Sequence, residues 1–570
     1  MKVFYVGSDL KKLTALKASQ RTFLMIGWDK WDDFGFKTLL PCRLFVEGVE
    51  VVISNIRILL EDSSFTAKAL DDLVALGWNG VFPIPGIEYV SVPSDVDFYR
   101  VIYSSVNEDS ARQVAELLRD AGYLKNVLDD QTIVPLLESK GFDDSLMREG
   151  GSRKAFTDGH NVFILKSGSR ILDFVLNIQS NESVLPIAFK FNSTVLPYDI
   201  NVLIGPNGIG KSHCLQILVE YWLKIERGAP NALRDADIVP FDNYPNISKL
   251  ILVSYSPFED FILDLSETNL DDKDAYQYFG FRRASMTESG KKRIGISRNL
   301  PASDAARSIL RCVVEDARLG FLNNWVNKFS TAVAVLAEAV DFDWLALAIR
   351  DDVQQFDEIS EESDDVISIG KKRYLKLTQA ATSKLVNYVD LDVDEGIFNY
   401  LEGVVFISND RVVKLSSGQR LFSYIVINVL GAIKMNSLVV VDEPELFLHP
   451  TLEVMFISLL KTVLDQFSSK AILATHSLVS VRETPRNCVH VFRKTEYGRE
   501  VIQPPFETFG GDIQRISSYV FGDRLISKPY IEWISKKIKE YESADDFIAA
   551  LQGEVNEELV MRIKKLAEEI

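Results

Sequence analysis

Apolar positions recur along this chain with two different periods, and the changes of period divide it into segments. Over residues 1–165, short alternating or wholly apolar runs predict strands at Lys2–Val6, Arg43–Glu47 and Val49–Ile53. Helical spacing follows over Ser110–Leu124, so this part reads as a mixed α/β accessory domain. Between 166 and 254 the runs lengthen. Ile171–Ile178 and Val184–Phe191 predict an antiparallel pair joined by the polar turn Gln179–Ser183, and Ile200–Ile204 predicts a buried strand. Residues 255–400 form an insert expected to be mostly helical. Leu310, Val313, Val314, Ala317 and Phe321 keep helical spacing, as do Trp325, Phe329, Ala332, Val333, Leu336 and Val340. No heptad persists long enough for a coiled coil, and Asp357–Asp365 reads as a solvated acidic loop. Strand and helix alternate again over 401–494, and 495–570 reads as a helical tail.

Two stretches are ambiguous at this level. The run Trp28-Asp29-Lys30-Trp31-Asp32-Asp33-Phe34 is either a turn with its rings in a small core or a docking surface. Residues 276–298 set Tyr276, Tyr278, Phe279 and Phe281 beside Arg282, Arg283, Lys291, Lys292, Arg293 and Arg298. Rings next to cations can stack on bases and neutralise phosphates, or the segment can be a solvated arm.

Composition narrows the class. Hydrophobic residues are 47% and charged residues 25% of the chain, as in globular proteins, and the length allows several domains. The net charge of -18 argues against a polycation that coats DNA. Cys42, Cys214, Cys312 and Cys488 lie far apart with no CxxC pair, which excludes a zinc ribbon and suits a reducing cytoplasm. The apolar stretch Phe422–Ile433 is short of the about 20 residues that cross a bilayer, so no membrane association is expected. Nor does Met1–Leu13 hold an apolar core of signal-peptide length.

The chemistry concentrates where strands end. Gly205-Pro206-Asn207-Gly208-Ile209-Gly210-Lys211-Ser212 fits a phosphate-binding loop, placed after a buried strand and before a helix. Its glycines allow backbone N–H groups to approach phosphate oxygens, Lys211 would reach the outer phosphates, and Ser212 would ligate Mg²⁺. Leu438-Val439-Val440-Val441-Asp442-Glu443 is an apolar strand ending in two carboxylates. Asp442 suits the metal and Glu443 the attacking water. Leu415-Ser416-Ser417-Gly418-Gln419 opens a helix, where a serine can cap the first turn and free N–H groups can meet an anion. Ala471–Thr475 is a further strand, followed by His476.

In this order the four motifs resemble those of ABC-type ATPases: the phosphate loop, an LSGGQ-like signature with Ser417 for its first glycine, the acidic strand end and the switch histidine. The resemblance spans 166–494, with 255–400 divergent. It implies an α/β P-loop NTPase fold of ABC type with an antiparallel β subdomain. It also implies ATP and Mg²⁺ as ligands, catalysis by Glu443 and His476, and a head-to-tail homodimer or higher homo-oligomer. In that dimer Ser416, Gly418 and Gln419 would close over the partner's ATP. The turn Pro444-Glu445-Leu446-Phe447-Leu448-His449-Pro450 is similar to the SMC, RecF and OLD branch rather than to transport ATPases. The usual Q-loop glutamine is not evident; Tyr255-Ser256-Pro257-Phe258 stands after the strand Leu250–Ser254. Within that branch the chain resembles the ATPases of Septu-type anti-phage systems, including the retron-associated form. That resemblance implies a regulatory ATPase acting with an HNH-type nuclease partner, since 495–570 lacks the DxD pattern of a TOPRIM nuclease. Its alternatives are a DNA-repair or chromosome-maintenance ATPase that binds DNA directly, and an ATP-gated assembly scaffold with little turnover.

Overall fold

The strand-forming runs of the N-terminal segment build two small sheets rather than one. The first has the order β1-β2-β4-β5, from β1 (Lys2–Gly7), β2 (Phe23–Gly27), β4 (Cys42–Val46) and β5 (Val49–Val51). The second joins β3 (Leu39–Leu40), β6 (Ile56–Leu60) and β7 (Tyr89–Pro93). The helix expected over Ser110–Leu124 is broken into Glu108–Leu117 and Ala121–Asn126. Arg119 there takes a positive φ of 51°, and the Asp120 carboxylate caps the second piece by accepting from the Tyr123 N–H at 2.7 Å. On β6 itself Arg57 is fully buried, and its guanidinium donates to Ser94, Ser152 and Glu149. A charge this deep is tolerated because its donors are satisfied.

The structure, a computed structural model, describes residues 1–570 except 30–34, 165–170, 181–182, 227–238, 266–274, 287–291, 320–325, 352–364, 386–396, 447, 497, 523–528, 552 and 570. Most of the aromatic-acidic run after Trp28, the positions Lys291, Phe321, Trp325 and Phe447, and nearly all of the acidic loop 357–365 lie outside the described residues. The described chain forms two compact units, Met1–Gly510 and Gly511–Ile570.

The first unit centres on a seven-stranded sheet of order β12-β11-β20-β21-β10-β22-β23. Its inner strands are β10 (Ile200–Ile204), β11 (Lys249–Ser254), β20 (Ser437–Asp442) and β21 (Lys470–Thr475), wholly or almost wholly buried. Apolar residues on both sides of each strand call for cover on both faces, which a parallel sheet flanked by helices provides. One cover is the helix Lys211–Glu226, which buries Leu215, Leu218 and Trp222. Beside this sheet β8 (Phe174–Ser180) and β9 (Ser183–Phe189) pair antiparallel, as their alternation predicts.

The insert departs from its expected helical character. Helices Leu300–Leu319 and Lys328–Ala339 are present, but β12 (Tyr276–Gly280) joins the central sheet parallel to β11. Next, β13 (Arg282–Met286) and β14 (Lys292–Ile296) form a hairpin. A five-stranded antiparallel sheet follows, of order β16-β17-β15-β18-β19, built from β15 (Trp344–Ala348), β16 (Val366–Ile369), β17 (Lys372–Lys376), β18 (Val404–Ser408) and β19 (Arg411–Val412). It straddles residue 400, because pairing partners are chosen by hydrogen bonding and not by sequence neighbourhood.

The tail also differs from its helical reading. The hairpin of β22 (Val489–Thr495) and β23 (Gly498–Ile502) extends the central sheet, and the helices begin only at Ile513. In the second unit, helices Pro529–Lys537, Ala544–Ala550 and Glu557–Glu569 gather around Ile534, Ile538, Phe547 and Ile563. Cys42, Cys214, Cys312 and Cys488 are all free and buried. No described helix is long and apolar enough to cross a membrane.

A buried histidine gives the fold a pH signature. His490 on β22 is 2% exposed, its Nε2 lies 3.0 Å from the Asn201 Oδ1, and burial lowers its pKa from 6.5 to about 4. Between those values the unfolded chain holds the proton and the folded chain does not. Stability therefore falls as the pH drops from about 6.5 toward 4, by on the order of 3 kcal/mol. Urea unfolding at pH 7 and pH 5 should show a steeper loss for the wild type than for His490→Gln. Equal losses would rule out this histidine as the source.

Candidate functional site

Register in the central sheet brings the separate motifs to one edge. Ile204 at the end of β10 pairs with Thr475 of β21, and Ala474 pairs with Asp442 of β20. The residues that follow these strand ends, Gly205, His476 and Glu443, therefore emerge side by side. Strand carboxyl ends are where open α/β sheets place their ligands. Although β21 separates β10 from β20, the Ser212 hydroxyl at the start of the following helix donates to Asp442 Oδ1 at 2.9 Å.

The loop 205–212 has the backbone its glycines suggested. Gly205, Gly208 and Gly210 have φ values of 156°, 71° and 107°, a region that side chains rarely enter. Gly205 also has no room for a Cβ, which would come within 2.6 Å of the Phe492 carbonyl oxygen. Pro206, Asn207 and Gly208 are exposed, whereas Ile209 points into the core. Lys211 is buried and curls beneath the loop. Its ammonium donates to Gly205 O at 3.2 Å, to Pro206 O at 3.4 Å and to His476 Nε2 at 2.7 Å. An ammonium only donates, so the imidazole accepts at Nε2. The same Nε2 stands 3.6 Å from Glu443 Oε1, within electrostatic reach but beyond a hydrogen bond.

Charge is unevenly shared at this edge. Burial raises the Asp442 carboxyl to about 7, opposed by the Ser212 hydrogen bond, and its Oδ2 is buried with no partner. Contact with His476 holds the Glu443 carboxyl below the ordinary glutamate range, against burial and with help from Lys211. Desolvation lowers Lys211, while Glu443, Glu445 and Asp442 pull it back up. Glu443 itself has a positive φ of 49°, and its N–H is tied to Ala474 O at 2.8 Å. A non-glycine residue held there stores about 1–3 kcal/mol, a strain that concentrates at functional sites.

The orphaned Asp442 oxygen beside a serine hydroxyl fits a small hard cation, which takes oxygen donors and shares its shell with phosphate and water. Ser212 and Asp442 are the residues that would hold Mg²⁺. Among the described residues no group of three or more His, Cys, Asp or Glu could hold a metal ion, so the rest of the shell falls to ligand oxygens and water.

Three further carboxylates join the site beyond the motifs. Glu445 Oε1 accepts the His476 N–H in a short hydrogen bond, and its Oε2 is buried without a partner. Glu453 accepts from the hydroxyl of Ser477, the next residue of the switch loop. Glu259 follows β11 where the Q-loop was sought, and its carboxyl is raised by burial and by the nearby charge of Glu443. The DEPE turn signalled Glu445. Nothing in the local sequence pointed to Glu259 or Glu453, because tertiary packing brings them in, Glu453 from the first turn of the helix Pro450–Gln466.

The signature-like residues stand apart. Ser416 caps the helix Ser417–Ala432 and forms a capping box with Gln419. The Gln419 amide is engaged at both ends, accepting from Ser416 N at 3.1 Å and donating to Ala339 O at 2.9 Å. Among the described residues, no hydrogen bond or ion pair joins Ser416, Gly418 or Gln419 to residues 205–212. Ser416 and Ser417 are exposed.

Three of the four rings in the 276–298 stretch are withdrawn from solvent. Tyr276, Tyr278 and Phe279 are buried in β12, and Phe281 packs edge-on against Tyr255. Arg282 pairs with Asp260 at 2.8 Å. The three rings of β12 are core because that strand is a member of the central sheet.

Comparison with known proteins bears on the same region. Residues 200–482 match the family described as "AAA domain, putative AbiEii toxin, Type IV TA system". Over 543 residues the chain is 22% identical to protein ea59 of Escherichia phage lambda, covering 92% of this chain and 91% of that one. Among solved structures, a nucleotide-free ATP-binding cassette from an ABC transporter covers 63% of this chain and all of its own, at 10% identity and a TM-score of 0.26. An SMC head domain from Thermotoga maritima covers 59% of this chain and all of its own, at 12% identity and a TM-score of 0.23. The family match runs from β10 through the loop that carries His476, the same stretch that assembles the phosphate loop, acidic strand end and histidine; this part of the chain is similar to that family's AAA domain.

Proposed function

We propose that the chain binds ATP with Mg²⁺ at residues 205–212, hydrolyses it, and uses ATP-dependent closure of a homodimer to control a partner nuclease in anti-phage defence. The observation that carries the hydrolytic part is the partly buried cluster in which Lys211, His476 and Glu443 meet beside the Ser212–Asp442 pair. When bound, the cation would offset the charge of the outer phosphates. Lys211 holds the phosphate oxygens, exchanging its carbonyl partners for them. Glu443, kept ionised by its surroundings, orients the attacking water and accepts its proton. His476 stands beside Glu443, where it would meet the outer phosphate, and Glu445 and Glu453 fix the loop that carries His476.

Dimer closure rests on the exposed N-terminus of the helix Ser417–Ala432. Its first N–H groups and the Ser416 hydroxyl form an anion site with no counterpart in its own cradle. A second copy would bring that terminus over the triphosphate. A ligand that binds only the closed dimer then shifts the equilibrium toward it. The defence setting is supported by the toxin description of the matched family and by the phage-encoded relative. The competing DNA-repair reading lost its stacking platform when the rings of β12 went into the core.

Calorimetric titration with ATP should give saturable binding for the wild type and none for Lys211→Ala. Equal affinity in both would dismiss the phosphate loop. Glu443→Gln should bind ATP, lose at least about 100-fold in turnover and accumulate as a dimer in gel filtration with ATP and Mg²⁺. Wild-type turnover in that variant would remove Glu443 from catalysis. Glu445→Ala leaves a buried N–H unpaired and should cost about 1–3 kcal/mol in urea unfolding as well as turnover. Glu445→Gln keeps an acceptor and should restore most of both, and failure of that rescue would mean the carboxylate does more than hold the loop.

A further inference from the structure

Where the parallel strands of the central sheet end, one polar residue lies outside all four motifs. Ser254 closes β11 and pairs in register with Asp442 of β20 on one side and with Gly280 of β12 on the other. Residues paired in one row of a ladder send their side chains to the same face. On that face Leu250, Leu252, Leu438 and Val440 share a core with Leu215 and Leu218 of the helix Lys211–Glu226. Ser212, in the first turn of that helix, donates to Asp442 Oδ1 at 2.9 Å. Ser254 therefore stands on the same side of the sheet as the Ser212–Asp442 pair.

The surroundings of Ser254 fix its backbone and leave its hydroxyl unsatisfied. The residue is 0% exposed, and its carbonyl accepts from the Tyr278 hydroxyl at 3.2 Å. A Cβ on Gly280 would collide with the same carbonyl, so β12 closes on this row because a glycine stands there. Among the described residues the Ser254 Oγ has no hydrogen-bond partner, and neither has Asp442 Oδ2. Burying a hydroxyl without an acceptor is unfavourable, and β11 is otherwise apolar from Leu250 to Val253. A strand end with a structural role alone would be better served by alanine. A donor lacking an acceptor and an acceptor lacking a donor, on adjacent strands and one face, complement each other. Serine turns about a single bond among three staggered positions, so its hydroxyl can be redirected while the backbone stays fixed.

We propose that Ser254 is a positioning residue for the cation, its hydroxyl donating to Asp442 Oδ2 and so aiming the carboxylate at Mg²⁺. The inference rests on the reading of Ser212 and Asp442 as the metal pair and adds to it a residue that acts through Asp442. An ionised carboxylate has about four acceptor sites, so hydrogen bonds from Ser212 and Ser254 leave room for the metal or for water that it holds. Hydrogen bonds to a ligating carboxylate fix its orientation, and losing one lowers metal affinity by about 10- to 100-fold. Because Ser254 works through Asp442, its effect is confined to binding that uses the metal.

The test titrates ATP calorimetrically into the full chain, once with Mg²⁺ and once with EDTA, for the wild type, Ser254→Ala and Ser254→Thr. Ser254→Ala should bind ATP about 10-fold more weakly with Mg²⁺ and as the wild type does in EDTA. Without nucleotide its urea midpoint should be no lower than that of the wild type, since the hydroxyl it loses has no partner. Ser254→Thr keeps a hydroxyl and should recover most of the Mg²⁺-dependent affinity. A lower midpoint in Ser254→Ala, with both titrations weakened alike, would make the serine merely structural and overturn the proposal. If Mg²⁺ strengthens ATP binding as much in Ser254→Ala as in the wild type, the assignment of Ser254 is wrong while the phosphate loop and the metal pair stand. If the wild type binds no ATP, or gains nothing from Mg²⁺, the reading beneath the inference fails and takes the inference with it.

Discussion

The contact between the Lys211 ammonium and the His476 ring, surrounded by carboxylates, sets the terms for everything at the sheet edge. Asp442, Glu443 and Glu445 converge on a place where the Lys211 charge offsets theirs, and Glu259 stands nearby with Arg282 and His213 beside it. Burial keeps Asp442, Glu445 and Glu259 toward their neutral forms, while His476 and Lys211 keep Glu443 ionised. Such an edge repels a bare triphosphate. It suits one that arrives with a divalent cation, so the orphaned Asp442 oxygen and the glycine-rich cradle make sense together and not separately. Strain at Glu443 is held in place by the same neighbours, since its backbone is tied to β21.

That arrangement depends on strand register. The Lys211–His476 contact spans 265 residues of sequence and the Ser212–Asp442 bond spans 230, yet both close within 3 Å. Parallel pairing of β10 with β21 and of β21 with β20 converts these separations into adjacent strand ends. A slip of one residue in either pairing would turn each side chain to the opposite face of the sheet. The wholly apolar character of these strands anchors them without distinguishing their two faces, so the loop contacts must supply the rest of the register. Ser212 on Asp442 and Glu445 on the His476 N–H are suited to that role.

The insert and the tail show how a sheet recruits distant chain. β12 comes from a segment with basic and aromatic residues side by side, and its rings turn inward because β11 offers it a parallel partner. The β22–β23 hairpin does the reverse at the other edge, where it carries two cations, Lys494 and Arg499, outward over the phosphate loop. Opposite edges of one sheet thus treat similar residues differently, according to which neighbours cover them. The N-terminal segment adds its own core, beside which the Arg57 network is buried with its donors satisfied.

Local chemistry made much of the site legible in advance. Gly205 to Ser212, the apolar run into Asp442 and Glu443, the strand before His476 and the Ser416 cap each follow from short-range rules: glycine's access to positive φ, burial of apolar runs, and serine capping. The β8–β9 pair was legible for the same reason. Long-range pairing was not. The break at Arg119, the strands within 255–400, the burial of Tyr276 and Tyr278, and the approach of Glu259, Glu453 and Arg499 all depend on partners far away in sequence. Sequence by itself determined which residues could bind a phosphate or hold an acidic strand end, because those capacities reside in side chains and adjacent backbone. Only the tertiary structure decided which of them meet, because strand pairing and desolvation arise between segments and leave no periodic mark within any one of them.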